Sequence, residues 1–148
     1  MRLATQKLIP LLKAHLVEHP IETAYLYGSY AKKKYTSESD IDIGVVFNSH
    51  LTASAQKTLQ QKIEAELTGA FEKPVQVESI PLAPPLLKHS IVLEGKLILE
   101  TNRDKRIALE VATLHEYEDN RCVFDIPYVV LKRNYEHKTQ TNLTGKIR

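Results

Sequence analysis

Between residues 21 and 47 the chain reads IETAYLY, then Gly28-Ser29, then the ten residues YAKKKYTSES, then DIDIGVVF. The first stretch is β-branched and aromatic and stops at Gly28, the pattern of a buried strand entering a tight turn. In the last stretch Ile41, Ile43 and Val45 fall on one side and Asp40, Asp42 and Gly44 on the other, so Asp40 to Phe47 is a strand with one apolar and one polar face. The segment after Gly28 reads as helix-capable, and ten residues allow about two helical turns and a return loop. The two strands are thereby set side by side, with Asp40 and Asp42 returned to the neighbourhood of Gly28. Gly-Ser, ten residues, then Asp-x-Asp arises by chance in roughly one chain of this length in a few hundred, at usages of about 0.07 for Gly and Ser and about 0.05 for Asp.

The rest of the chain supplies elements to pack against this pair. Leu8, Leu12 and Leu16 share a helical face before Pro20, and Pro10 leaves the start of that helix open, since it is comfortable in a first turn but costs about 3 kcal/mol deeper inside. From Thr52 to Leu67, Leu59, Ile63 and Leu67 recur at helical spacing, with Gly69 as a stop. Val75, Val77 and Ile80 form a third strand closed by Pro81, and Leu86, Leu87, Ile91 and Val92 form a helix after the Pro84-Pro85 pair. Gly95 turns the chain into a fourth strand, Lys96 to Glu100, and Asn102 caps a helix carrying Ile107, Val111 and Leu114. A further helix is expected from Pro127 through Val130, Leu131 and Tyr135. Strands alternating with helices, some joined by short connections, give an α/β (α+β) domain: a mixed sheet of about four strands flanked by helices, with a helical C-terminus. The domain is expected over residues 1–137, and residues 138–148, poor in apolar side chains, as a flexible tail.

Composition narrows the class. With 148 residues, 43% hydrophobic and 26% charged, the chain has enough apolar content for one core and too much for wholesale disorder. Twenty Lys and Arg against 18 Asp and Glu give a net charge of +2, which names no partner and gives no reason to expect a direct nucleic-acid role. The single cysteine, Cys122, excludes an intramolecular disulfide framework and fits a reducing, cytoplasmic setting. No apolar run approaches the roughly 18 residues of a membrane span, so neither targeting nor membrane insertion is expected.

Carboxylates at i and i+2 of a strand leave the same face about 6–7 Å apart, a separation that suits one or two Mg²⁺ ions. Gly28 lets backbone approach a phosphate closely, and the amides that follow it, with the Ser29 hydroxyl, are donors for phosphate oxygens. By itself a Gly-Ser after a strand is usually a turn, and Asp-x-Asp a solvated edge. Together they point to a nucleotide site, because two like charges on one face repel unless a cation lies between them.

These residues resemble the signature of the DNA polymerase β-type nucleotidyltransferase superfamily. The nearest likeness is to its minimal branch, the MNT antitoxins paired with HEPN ribonuclease toxins. The likeness continues through Pro81-Leu-Ala-Pro-Pro-Leu-Leu and Leu93-Glu-Gly-Lys-Leu-Ile-Leu-Glu and so covers roughly Ile21 to Glu100. It implies that Gly28 and Ser29 bind the triphosphate of ATP, that Asp40 and Asp42 are catalytic metal ligands for Mg²⁺, and that AMP passes to a tyrosine of a cognate HEPN toxin. Two positions depart from the family. Lys32-Lys33 stands where Arg-Gly is common, leaving Lys32 as the phosphate-contacting cation. The third family acid falls at Gln76, which cannot be an anionic ligand or a base; Glu78, two residues on and on the same face, is its expected substitute as catalytic acid and metal ligand.

Two alternatives stay open. One is a degenerate transferase fold that neutralises its toxin by contact, for which Gln76 speaks. The other is a small-molecule nucleotidyltransferase, for which 148 residues leave little room to enclose an acceptor. Tyr30 and Tyr35 could stack on a base, but core packing is the expected role. The six histidines show no metal-ligand spacing. The basic residues Lys132, Arg133, Lys138, Lys146 and Arg148 suit an acidic partner, RNA or a solubilising end.

Overall fold

The computed structural model describes residues 4–119. In chain order it contains α1 (Thr5–Leu16), β1 (Ile21–Tyr27), β2 (Ile41–Phe47), α2 (Ala53–Phe71), β3 (Val75–Ser79), a 3₁₀ turn (Ile80–Leu82), α3 (Pro85–Glu94), β4 (Lys96–Glu100) and α4 (Arg103–Asp119). The strands form the expected mixed four-stranded sheet, in the order β3-β2-β1-β4. β1 is antiparallel to both β2 and β4, whereas β2 and β3 are parallel and joined through α2. This arrangement places the end of β1 and the starts of β2, β3 and β4 at one end of the sheet. The helix expected from Pro127 and the tail at 138–148 lie outside the described residues.

The two sheet faces are unequal. On one, Ile41, Ile43, Val45, Val75 and Val77 pack with Leu8, Leu12 and Leu16 of α1 and Ile63 and Leu67 of α2 in the main core. Pro10 lies inside α1 rather than in its first turn, because the helix begins at Thr5. The helix tolerates it because each fully buried leucine is worth about 1.5–3 kcal/mol, and three of them outweigh the penalty of about 3 kcal/mol for an interior proline. α2 is capped as expected, with Ala55 N–H donating to Thr52 Oγ1 at 3.1 Å. It does not stop at Gly69 but runs on to Phe71, ending where Glu72 turns left-handed at φ 54°. Gly69 faces open space, so it weakens the helix without breaking it.

α2 also closes the outer edge of β3. Val77 N–H donates to Glu64 Oε2 at 2.8 Å, Gln60 Nε2 donates to the Val77 carbonyl at 2.7 Å, and Val75 N–H donates to Thr68 Oγ1 at 3.1 Å. Side chains thus satisfy an edge that would otherwise invite pairing with another strand. Ile80, read as the last residue of this strand, instead enters the 3₁₀ turn, because Pro81 cannot donate to the ladder.

On the opposite face a smaller cluster of Tyr25, Ile80 and Ile91, with Tyr27, Val46, Leu87, Val92 and Leu109 against it, seats α3 and α4. Gly44 makes the approach of α3 possible: a Cβ there would lie 2.9 Å from Ile91 Cγ2 and 3.3 Å from Ile80 Cγ1. α4 begins at the Asn102 cap, whose Oδ1 accepts from Lys105 N–H at 3.0 Å. Its stripe of Ile107, Val111 and Leu114 stays largely exposed, at 41, 45 and 38%, while Thr113 is buried. Polar contacts orient the helix instead: Tyr25 Oη donates to Glu110 at 2.6 Å, and Arg106 bridges Glu110 at 2.9 Å and Glu100. Charge-assisted bonds anchored in a buried tyrosine outweigh the partial burial of three aliphatic side chains.

Candidate active site

At the end of β1, Gly28 adopts φ +74°, a left-handed conformation open to glycine and strained for other residues. A Cβ on it would collide with the Asp42 carboxylate, so the turn and the strand are packed backbone against side chain. Ala31 and Lys32 N–H both donate to the Gly28 carbonyl, at 3.1 and 3.2 Å, and Lys34 N–H donates to the Ser29 carbonyl at 3.0 Å. The expected helix of two turns does not form. Lys33 turns left-handed at φ 58° and ends the coil after about one turn. A compact loop follows, in which Thr36 N–H donates to Ser39 Oγ at 2.8 Å and Ser39 N–H to the Thr36 carbonyl at 3.1 Å. Asp40 sits at the end of this loop, and β2 begins one residue later than the alternation suggests.

Strand register then decides what surrounds the carboxylates. Asp42 pairs with Tyr27 on one side and Gln76 on the other, and Gly44 pairs with Glu78. The expectation that Gln76 occupies the position beside the Asp-x-Asp pair therefore holds in three dimensions. Burial, the neighbouring Asp40 charge and then Glu78 push the Asp42 carboxyl up from 3.8 to about 6. The Tyr27 hydroxyl is raised too, by burial and then by Asp42 and Glu78. Glu78 is thus within electrostatic reach of the pair, but among the described residues no three acidic, histidine or cysteine side chains gather into a ready-made metal cage. Asp40, Asp42 and Glu78 are not brought together as a ligand triad.

A divalent cation fits the carboxylate pair nonetheless. Asp42 is a half-buried acid repelled by two other acids, an arrangement that a cation relieves, and because Gly28 has no Cβ the Asp42 carboxylate lies directly against the turn. Two carboxylates with water and substrate phosphates match the usual Mg²⁺ shell.

The raised pKa has a consequence that can be measured. Without divalent ions, the fold binds the Asp42 proton more tightly than the unfolded chain. That contribution is fully present below about pH 4 and is lost as pH rises through about 6, a swing on the order of 2–3 kcal/mol. Asp42→Asn should therefore melt higher than the parent at pH 7.5 and lose this advantage by pH 4. Thermal melts in chelator test it, and identical pH dependences in the two proteins would remove Asp42 from this role.

Lys32 lies on the turn, its amide bonded to Gly28, while its side chain reaches Glu94 at the end of α3, 3.4 Å away. Both groups are half exposed, and such pairs are worth about 0–1 kcal/mol, so an incoming phosphate can displace the glutamate. Tyr30 is a core residue, 1% exposed and stacked on Tyr35 with centroids 4.5 Å apart. Sequence reasoning missed Tyr27 as a wall of the site. The available signal was an aromatic residue directly before Gly28, but only register shows that it faces Asp42.

A strand ending in a left-handed Gly-Ser turn, set against an Asp-x-Asp strand in a mixed sheet, defines a nucleotidyltransferase. The chain belongs to the polymerase beta nucleotidyltransferase family, whose pattern matches residues 6–104. It is 29% identical over 117 residues, 79% of each chain, to the protein adenylyltransferase MntA of Shewanella oneidensis. Among solved structures, it resembles one chain of a toxin–antitoxin with AMP-PNP, at 25% identity and TM-score 0.62 over 85% of this chain and 99% of that one. It also shares its fold with a chain from the complex of tri-AMPylated Shewanella oneidensis HEPN toxin and MNT antitoxin, at 23% identity and TM-score 0.55 over 84% and 96%. Among the described residues no helix is long and apolar enough to cross a membrane.

Proposed function

We propose that this chain is an antitoxin of the MNT type, a cytoplasmic protein adenylyltransferase that moves AMP from ATP to a tyrosine of a cognate HEPN toxin. The observation that carries the reading is Asp42 packed against the left-handed Gly28 turn, with the Asp40 charge acting on it. The name of the MntA relative supports the choice of a protein acceptor. In this reading Gly28, Ser29 and Lys32 hold the triphosphate, and Asp40 and Asp42 hold Mg²⁺, which when bound neutralises charge on the phosphates during transfer. The tyrosine oxygen attacks the α-phosphorus as the bond to pyrophosphate breaks, and its proton passes to a carboxylate. Glu78 is the general base for that proton, since Gln76 beside Asp42 has no basic oxygen.

The test is to mix the chain with its toxin, ATP and Mg²⁺ and weigh the toxin. Discrete AMP increments on a tyrosine are expected, with inhibition that outlasts removal of the antitoxin. Glu78→Gln should slow transfer by about 10²-fold, the usual cost of losing a general base, and Gln76→Asp should raise it. A rate within a few-fold of the parent would return Glu78 to the surface. Gln76 in register with Asp42 favours one competing reading, neutralisation by contact alone. That reading gives no mass change, full recovery of toxin on separation, and neutralisation that survives loss of both aspartates.

A further inference from the structure

The segment from Tyr30 to Asp40 has little regular structure, yet transfer requires its two ends in a fixed relation: the phosphate turn at one and the carboxylates at the other. Lys73, in the connection between α2 and β3, reaches both. Its Nζ donates to Tyr30 Oη at 2.8 Å and to the Ser37 carbonyl at 3.3 Å. Tyr30 lies two residues after Gly28, and Ser37 three before Asp40. Nζ is 5.2 Å from the Tyr30 centroid and much closer to the hydroxyl, so the ammonium sits at the polar end of the ring and not over its face.

Tyr30 is a rigid anchor for such a contact. It is buried, its carbonyl accepts from Thr5 Oγ1 at 2.8 Å, and its ring is stacked on Tyr35 within 8° of parallel. The next residue, Pro74, accepts from Ile41 N–H at 3.0 Å, so two consecutive residues tie together turn, loop and strand. The bonds among Thr36, Glu38 and Ser39 hold the loop's shape but not its position relative to Gly28. Stacking of Tyr35 on Tyr30 holds the middle of the segment, while a cavity of about 300 Å³ opens beside Leu8, Leu11, Phe71 and Lys73, so on that side the Lys73 ammonium makes the contact to Ser37. Both Lys73 acceptors are neutral oxygens, which makes the contact one of position rather than of charge pairing.

We infer that Lys73 is a positioning residue: its ammonium locks the Gly28-Ser29 turn and the Asp40 loop into one frame. The inference rests on nucleotidyl transfer at Asp40 and Asp42. Three variants test it, Lys73→Met, Lys73→Arg and Tyr30→Phe, read by amide hydrogen exchange and by steady-state transfer to the toxin.

In Lys73→Met, exchange should speed up in residues 28–31 and 36–41 and stay unchanged in the middle of α2. Its kcat should fall by about 10–100-fold, the cost of an ångström-scale misplacement. KM for the toxin should hold and the melting temperature should move by only a few degrees. Lys73→Arg should restore most of the rate, and Tyr30→Phe combined with Lys73→Met should be no worse than the poorer single variant. Unchanged exchange at 36–41, or activity that falls only in proportion to global unfolding, overturns the inference. A parent that transfers no AMP would instead sink the nucleotidyl-transfer reading, and the exchange data would still decide whether Lys73 holds the frame.

Discussion

Replacing Asp40 and Asp42 together by asparagine is expected to reduce AMP transfer by at least about 10³-fold while the protein stays folded. The magnitude follows from the several kcal/mol of charge stabilisation that metal-held phosphates contribute, at about 1.4 kcal/mol per tenfold. The fold should persist because neither side chain belongs to the core: Asp40 ends a loop and Asp42 faces the half-open side of the sheet, whereas Ile41, Ile43 and Val45 carry the packing. Relief of repulsion among Asp40, Asp42 and Glu78 should even raise metal-free stability at neutral pH. Calorimetry with Mg²⁺-ATP and a thermal melt of the double variant separate the two effects. Undiminished Mg²⁺-ATP binding would remove the pair from the site, and a lower melting temperature in chelator would contradict the repulsion.

The second large effect is expected at Gly28. Gly28→Ala must adopt φ +74°, which costs about 1–2 kcal/mol for a residue with a Cβ, and the new methyl must displace the Asp42 carboxylate. The same substitution thus strains the turn and misplaces the acid, so transfer should drop by about 10²-fold, with both kcat and KM for ATP affected. Gly69→Ala is the control. That position is helical with open space around it, so the change should stabilise by about 0.5–1 kcal/mol and leave transfer alone. If Gly28→Ala transferred AMP at the parent rate, the close packing of turn and carboxylate would have no role in the reaction.

Much of the fold was legible because its signals are local. β1, β2, β3 and β4 appear within a residue or two of where alternation and β-branching place them, and α2 begins at the Thr52 cap. Where a local rule met a larger energy, the larger energy decided. Pro10 is tolerated inside α1 because three buried leucines outweigh it, and Gly69 does not stop α2 because an exposed glycine costs only about 1 kcal/mol. The orientation of α4 was not legible for a different reason. Helical spacing identifies a face but not what that face meets, and Arg106 and Glu110 turned the helix toward Tyr25.

For the site, the residue types and spacing of Gly28, Ser29, Asp40 and Asp42 pointed to a nucleotide site on their own, since a turn without a Cβ and two carboxylates at i and i+2 suit a triphosphate and its metal together. The family resemblance also implied that Gln76 stands where the family has an acid. Only the tertiary structure decided the rest: that Gln76 and Tyr27 flank Asp42, that Glu78 lies across from Gly44, that Lys32 rests on Glu94, and that Lys73 reaches both ends of the connecting segment. The physical reason is that side-chain direction along one strand follows from its own backbone period. Its neighbours across the sheet are set by register, which the packing of α1 and α2 on one face and α3 and α4 on the other selects.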